Sequence, residues 1–84
     1  MKKFLVFIER KPGFSGNSIP EHRQFIQSLR ENDILVSAGG FNDQTGGAYV
    51  LQAHSLESAT QTMKQDPMYM ENECIYTIKE WNVQ

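Results

Sequence analysis

Near neutral pH few of these side chains can move a proton or attack an electrophile: two histidines, His22 and His54, and one cysteine, Cys74. His22 follows Ile19-Pro20-Glu21, and an aspartate, Asp66, stands in the second half of the chain, immediately before Pro67. An imidazole beside a carboxylate can do acid/base work. The carboxylate fixes the tautomer through one ring nitrogen and stabilises the charged ring, and the other nitrogen is left to face a substrate. Whether His22 and Asp66 can meet depends on the elements that carry them.

Residues 3–10, Lys-Phe-Leu-Val-Phe-Ile-Glu-Arg, are rich in β-branched and aromatic types on both alternating faces, the pattern of a central strand. Pro12, Gly13 and Gly16 make residues 11–17 a loop. Ser18-Ile19-Pro20-Glu21 fits a capping box, so a helix is expected to start there, with Ile19, His22, Phe25, Ile26 and Leu29 on its buried stripe and Arg23, Gln24, Gln27 and Arg30 toward water. Asn32-Asp33 supply its polar stop. Residues 34–41 read as a strand that runs into Gly39-Gly40, where a bulge or a close backbone approach is expected. A turn over 42–47 joins it to the strand 48–53 as a hairpin. Ser55 can cap a second helix running to about Gln65, which Asp66-Pro67 ends. Residues 68–73 fit no element, and 74–81 alternate as a last strand.

The order is βαββαβ. Its simplest solution is an α+β, ferredoxin-like domain spanning 1–84, with a four-stranded antiparallel sheet and both helices on one face. In that topology the loop 11–17, the start of the first helix, the hairpin, the end of the second helix and the start of the last strand share one end. His22 and Asp66 are thereby brought together. The plainer alternative stays open: His22 as a half-buried helix residue bonded to any acceptor, and Asp66 as a helix-ending residue before proline. Two helices cover one face of the sheet only, yet Leu5 and Phe7 point away from Phe4, Val6 and Ile8. A homodimer packed through the open sheet face follows as an expectation.

Other residues point to less. His54 precedes the second helix at the opposite end of the sheet. Cys74 sits in a strand without a second thiol, so a packed thiol is expected and no metal site. Glycines 39, 40, 46 and 47 stand in a hairpin and match no nucleotide loop. Met63, Met68 and Met70 with Tyr69 read as core, with the lining of an apolar pocket under the site as the alternative. Ten acidic and eight basic side chains leave a net charge of −2 without a basic cluster, so no nucleic-acid partner is expected. The longest apolar run, Phe4 to Ile8, is far short of the roughly 20 residues that span a bilayer, and no signal peptide is recognisable. With a single cysteine, no internal disulfide forms, and a cytoplasmic location is expected.

Several of these residues together carry a resemblance. The strand Phe4-Leu5-Val6, the helix start Pro20-Glu21-His22, Gly39-Gly40-Phe41, Ser55-Leu56-Glu57-Ser58-Ala59, Asp66-Pro67 and the closing strand Tyr76 to Asn82 occur in this order and spacing in the YciI-like (YCII-related) proteins. The chain resembles that family over nearly all its length. The resemblance implies the dimeric α+β barrel arrangement and a site built on a His/Asp pair, here His22 and Asp66. The group includes enzymes that rearrange or dehalogenate small cyclic or aromatic compounds. Ile19 stands where many members carry arginine, and Phe41 where a proline commonly follows the paired glycines.

Two functions from different classes fit. One is an enzyme of lyase or isomerase type with His22 as general acid/base and Asp66 orienting it. Its substrate is a small cyclic or carbonyl-bearing molecule in a pocket shaped by Gly39, Gly40 and Phe41, and no cofactor is expected. The alternative is a non-catalytic dimeric module that binds a small ligand in the same cleft.

Overall fold

The computed structural model describes residues 1–84. Its elements run β1 (Lys2–Arg10), α1 (Ile19–Glu31), β2 (Leu35–Gly40), β3 (Gly46–Ala53), α2 (Leu56–Met63) and β4 (Cys74–Glu80). The four strands form one antiparallel sheet in the order β2-β3-β1-β4, which places β1 in the centre as its two apolar faces require. This is the ferredoxin-like α+β fold.

Both helices lie on one face. Phe4, Val6 and Ile8 of β1 and Tyr49, Leu51 and Ala53 of β3 point into that layer, where Leu29 of α1 and Ala59 and Met63 of α2 meet them. Phe4, Val6 and Leu51 are wholly buried. Truncating Phe4 to alanine would cost about 3–5 kcal/mol through lost transfer energy and the cavity left behind. The opposite face is uncovered: Phe7 and Ile75 are 39% and 49% exposed.

Local chemistry departs from expectation in two places. Ser18 precedes α1, but its side chain makes no capping bond and the capping box does not form; the helix opens through the His22 amide donating to the Ser18 carbonyl at 2.9 Å. Ser55, in contrast, caps α2 as expected, accepting from the Ser58 amide at 3.1 Å.

The second departure is in β2. Of the two expectations at Gly39-Gly40, the close backbone approach is found there, but the bulge lies earlier, between Leu35 and Ser37. Leu35 pairs with Leu51, but Ser37 pairs with Val50, so Val36 is one residue more than β3 can match. A one-residue slip reverses which face each later side chain occupies. Ser37 and Gly39 therefore turn to the open face with Val50 and Ala48, and Ala38 and Gly40 turn to the helix face with Tyr49 and Gly47. Across this hairpin the backbones come close. A Cβ on Gly47 would lie 2.6 Å from the Gly39 carbonyl oxygen, and one on Gly46 only 1.9 Å from that of Ile8.

Candidate functional site

Asp66 lies past the end of α2, where Pro67 prevents the helix from continuing. Because Pro67 has no amide proton, the Asp66 side chain turns forward to the next donor. Its Oδ1 accepts from the Met68 amide at 2.9 Å, an Asx-type turn that fixes the carboxylate against the core. The side chain is fully buried. His22 stands in the first turn of α1, on the stripe facing the sheet, and its Nδ1 lies 2.9 and 2.8 Å from the two Asp66 oxygens. A third donor comes from β4: the Tyr76 hydroxyl donates to Oδ2 at 2.8 Å. Three elements thus converge on one carboxylate, and it is the only acidic group in an ion pair in the chain.

With Nδ1 donating to Asp66, Nε2 is left for the cleft that His22 lines. That cleft, about 470 Å³, opens between α1 and the β2-β3 hairpin. Ala38, Gly40, Gly46 and Gly47 make its floor, small because the β2 register turns no large side chain to this face. Tyr49 lines it beside His22, the two ring centroids 6.5 Å apart. The Tyr49 hydroxyl is buried and has no hydrogen-bond partner. Burial first, and then the Asp66 charge, push its ionisation far above the usual phenol range; the same two causes act on Tyr76.

Of the residues singled out from the sequence, His22 and Asp66 come together, and Gly39 and Gly40 line the cleft. Phe41 does not. Its ring packs against Phe7, centroids 5.2 Å apart, toward the open face of the sheet, because the Val36 bulge reverses the strand before it arrives. Cys74 is buried, and burial raises its thiol pKa, with Glu73 adding to the effect. No three His, Cys, Asp or Glu side chains converge as a metal cluster. His54 is exposed.

Sequence reasoning missed Tyr49 and Tyr76, although each is a hydroxyl on an inward strand position, where a polar atom needs a reason. It also missed Glu73, 2% exposed, whose two oxygens accept from the Ser15 hydroxyl and amide at 2.9 and 3.0 Å and hold the loop before α1 in place.

The fold is a ferredoxin-like α+β sheet, with His22 lining its cleft and the buried Asp66 carboxylate behind it. The chain belongs to the YCII-related domain family, whose model matches residues 3–82. It is 35% identical over 83 residues to the uncharacterised protein YjpA of Bacillus subtilis (strain 168), covering 99% of this chain and 98% of that one. In fold it is similar to 5-chloro-2-hydroxyhydroquinone dehydrochlorinase (TftG) from Burkholderia phenoliruptrix AC1100 in complex with 2,5-dihydroxybenzoquinone. The TM-score is 0.75 at 17% identity, over 95% of this chain and 93% of that one.

Proposed function

We propose that this protein is a small-molecule enzyme of lyase or isomerase type in which His22 transfers a proton and Asp66 orients it. The observation that carries the reading is the buried Asp66 carboxylate bonded to Nδ1 of a histidine whose ring lines a cleft. Nε2 takes a proton from the substrate, and Asp66 stabilises the imidazolium that results. The electron pair released moves onto a substrate oxygen. Tyr49 lines the cleft with a protonated hydroxyl that has no partner, and a small shift of that buried side chain on binding would let it donate to that oxygen. The imidazolium returns its proton at a second position in an isomerisation, or a leaving group departs in an elimination.

A cleft of about 470 Å³ suits a small cyclic or carbonyl-bearing compound. Similarity in fold to a dehydrochlorinase held with 2,5-dihydroxybenzoquinone supports the same size and chemistry. The apolar group on the open sheet face, with Phe7 and Ile75 exposed and Leu5 and Phe41 half-buried, supports a homodimer packed through that face, which light scattering at micromolar concentration tests directly. The free, buried Cys74 accords with a cytoplasmic location.

The test of function is a panel of small lactones, cyclic acids and phenols incubated with the protein and analysed by NMR for changed compound. Turnover that falls about 10²- to 10⁴-fold in His22→Ala while binding persists is the expected result. Binding without chemical change would make the protein a ligand-binding module, and turnover indifferent to His22→Ala would remove the dyad from the reaction.

A further inference from the structure

The cleft is charged in a way the chain as a whole is not. Although acidic side chains outnumber basic ones and the net charge is −2, no Asp or Glu lines the cleft, and three arginines do: Arg10, Arg23 and Arg30. None of the three has a carboxylate within ion-pair distance, since His22–Asp66 is the only such pair in the molecule. Arg10 is held at the mouth by its own contacts, donating to the Gln44 carbonyl at 3.0 Å with its guanidinium 4.5 Å from the centre of the Phe14 ring. Arg23, Gln27 and Arg30 recur at i, i+4 and i+7, so they share one face of α1. On most helices packed over a sheet such a face would look only to solvent. Here β2 turns only Ala38 and Gly40 to the helix face, so the exposed arginines border an open cleft that no large side chain of that strand fills.

From this arrangement we infer that the substrate is a small organic anion, its carboxylate or phosphate gripped by Arg23 and Arg30 of α1 while its reacting portion lies against His22. This rests on the proposed function and names the substrate class of that same site. Arg23 and Arg30 stand about 10 Å apart along the helix axis, a gap their long side chains can close on one oxyanion between them. Guanidinium groups with no carboxylate partner are free to bind an oxyanion through paired N–H donors. The Gln27 amide, which accepts from Arg30 at 3.1 Å, lies between them and holds Arg30 toward that position. The low local density of negative charge also favours entry of anions over neutral compounds.

The test uses the full chain and four probes: 4-hydroxybenzoate, its neutral analogue 4-hydroxybenzamide, phenyl phosphate, and inorganic phosphate. Binding is followed by NMR through the backbone amides of Gly39 and Gly40 and the Nε–H signals of the arginines. The inference predicts that 4-hydroxybenzoate or phenyl phosphate binds at least about tenfold more tightly than 4-hydroxybenzamide, that affinity falls with salt, and that Arg23→Gln and Arg30→Gln each weaken it about tenfold. Whichever of the two anions binds tighter identifies the oxyanion. Equal affinity for the amide, unchanged affinity in both arginine variants, or inorganic phosphate binding as tightly as either organic anion would overturn the inference. His22→Gln separates the two proposals: it abolishes turnover if the dyad is catalytic, and it leaves anion binding in place if the arginines do the gripping.

Discussion

The Tyr76 hydroxyl and the His22 ring nitrogen meet the same oxygen of Asp66, each at 2.8 Å. One comes from the last strand and the other from the first helix, so the carboxylate joins two elements that no local sequence links. Removing any member leaves the others short of a partner in a buried place, which makes the arrangement open to test.

Asp66→Asn keeps the shape and removes the charge. In the wild type, ring ¹⁵N shifts should report His22 with its proton on Nδ1, as the bond to Asp66 requires. In the variant that proton loses its carboxylate acceptor and the signature moves toward the other tautomer, while turnover falls about 5- to 150-fold for the roughly 1–3 kcal/mol lost. An unchanged tautomer would mean that Asp66 does not set it.

Tyr76→Phe takes one of three donors from a buried carboxylate and should lower stability by about 1–3 kcal/mol in urea unfolding. A change below about 0.5 kcal/mol would mean that the bond is replaced.

Alkaline pH acts through the same tyrosines. Burial, followed by Asp66, raises the ionisation of Tyr49 and Tyr76 in the folded chain. Unfolding returns them to the ordinary range near 10, so above that pH the unfolded chain holds fewer protons than the native one and stability falls as pH rises. Below it their contribution is fully present. Urea midpoints should therefore drop above about pH 10, and Tyr49→Phe should flatten the drop by up to about 1.4 kcal/mol per pH unit.

Two glycines predict opposite outcomes. A Cβ at Gly46 would strike the Ile8 carbonyl oxygen, and its φ of +155° disfavours side chains as well, so Gly46→Ala should cost about 3 kcal/mol or more. A Cβ at Gly39 meets nothing within 4 Å, and Gly39→Ala should change stability by no more than about 0.5 kcal/mol, a shift of about 2–4 °C in the thermal midpoint.

Glu73→Gln should loosen the loop that carries Phe14. It weakens the acceptors of the Ser15 hydroxyl and amide, and faster amide exchange at Ser15 than in the wild type is the expected outcome. Protection unchanged at Ser15 would assign the loop's order to Phe14 and Arg10 instead.

The element order was legible in the sequence, and with it the meeting of His22 and Asp66, because antiparallel helices over one sheet must bring the start of one beside the finish of the other. Arg23 and Arg30 are exposed, as the helical period predicts; the period does not show that they also border a cleft. Helical periodicity separates core from solvent within one helix, and it cannot register that β2 opposes this helix with residues too small to close the gap beside it. Sequence neighbourhood with Gly39-Gly40 puts Phe41 in the pocket, and alternation counted from Leu35 does the same. The Val36 bulge cancels that count, and a bulge at a β-branched residue leaves no mark in the pattern. Tyr76 shows in the sequence only as a strand residue, since its bond is to the distant Asp66.

That extra residue at position 36 has a consequence for how such a protein can change. Deleting it would exchange the two sides of everything downstream in the strand, sending Phe41 into the cleft and taking it from the ring of Phe7 outside. A single-codon deletion would thus narrow the space for a ligand and bare part of the apolar surface in one stroke. Substrate range and assembly share one register here, and lineages that lengthen or shorten this edge strand must alter both together.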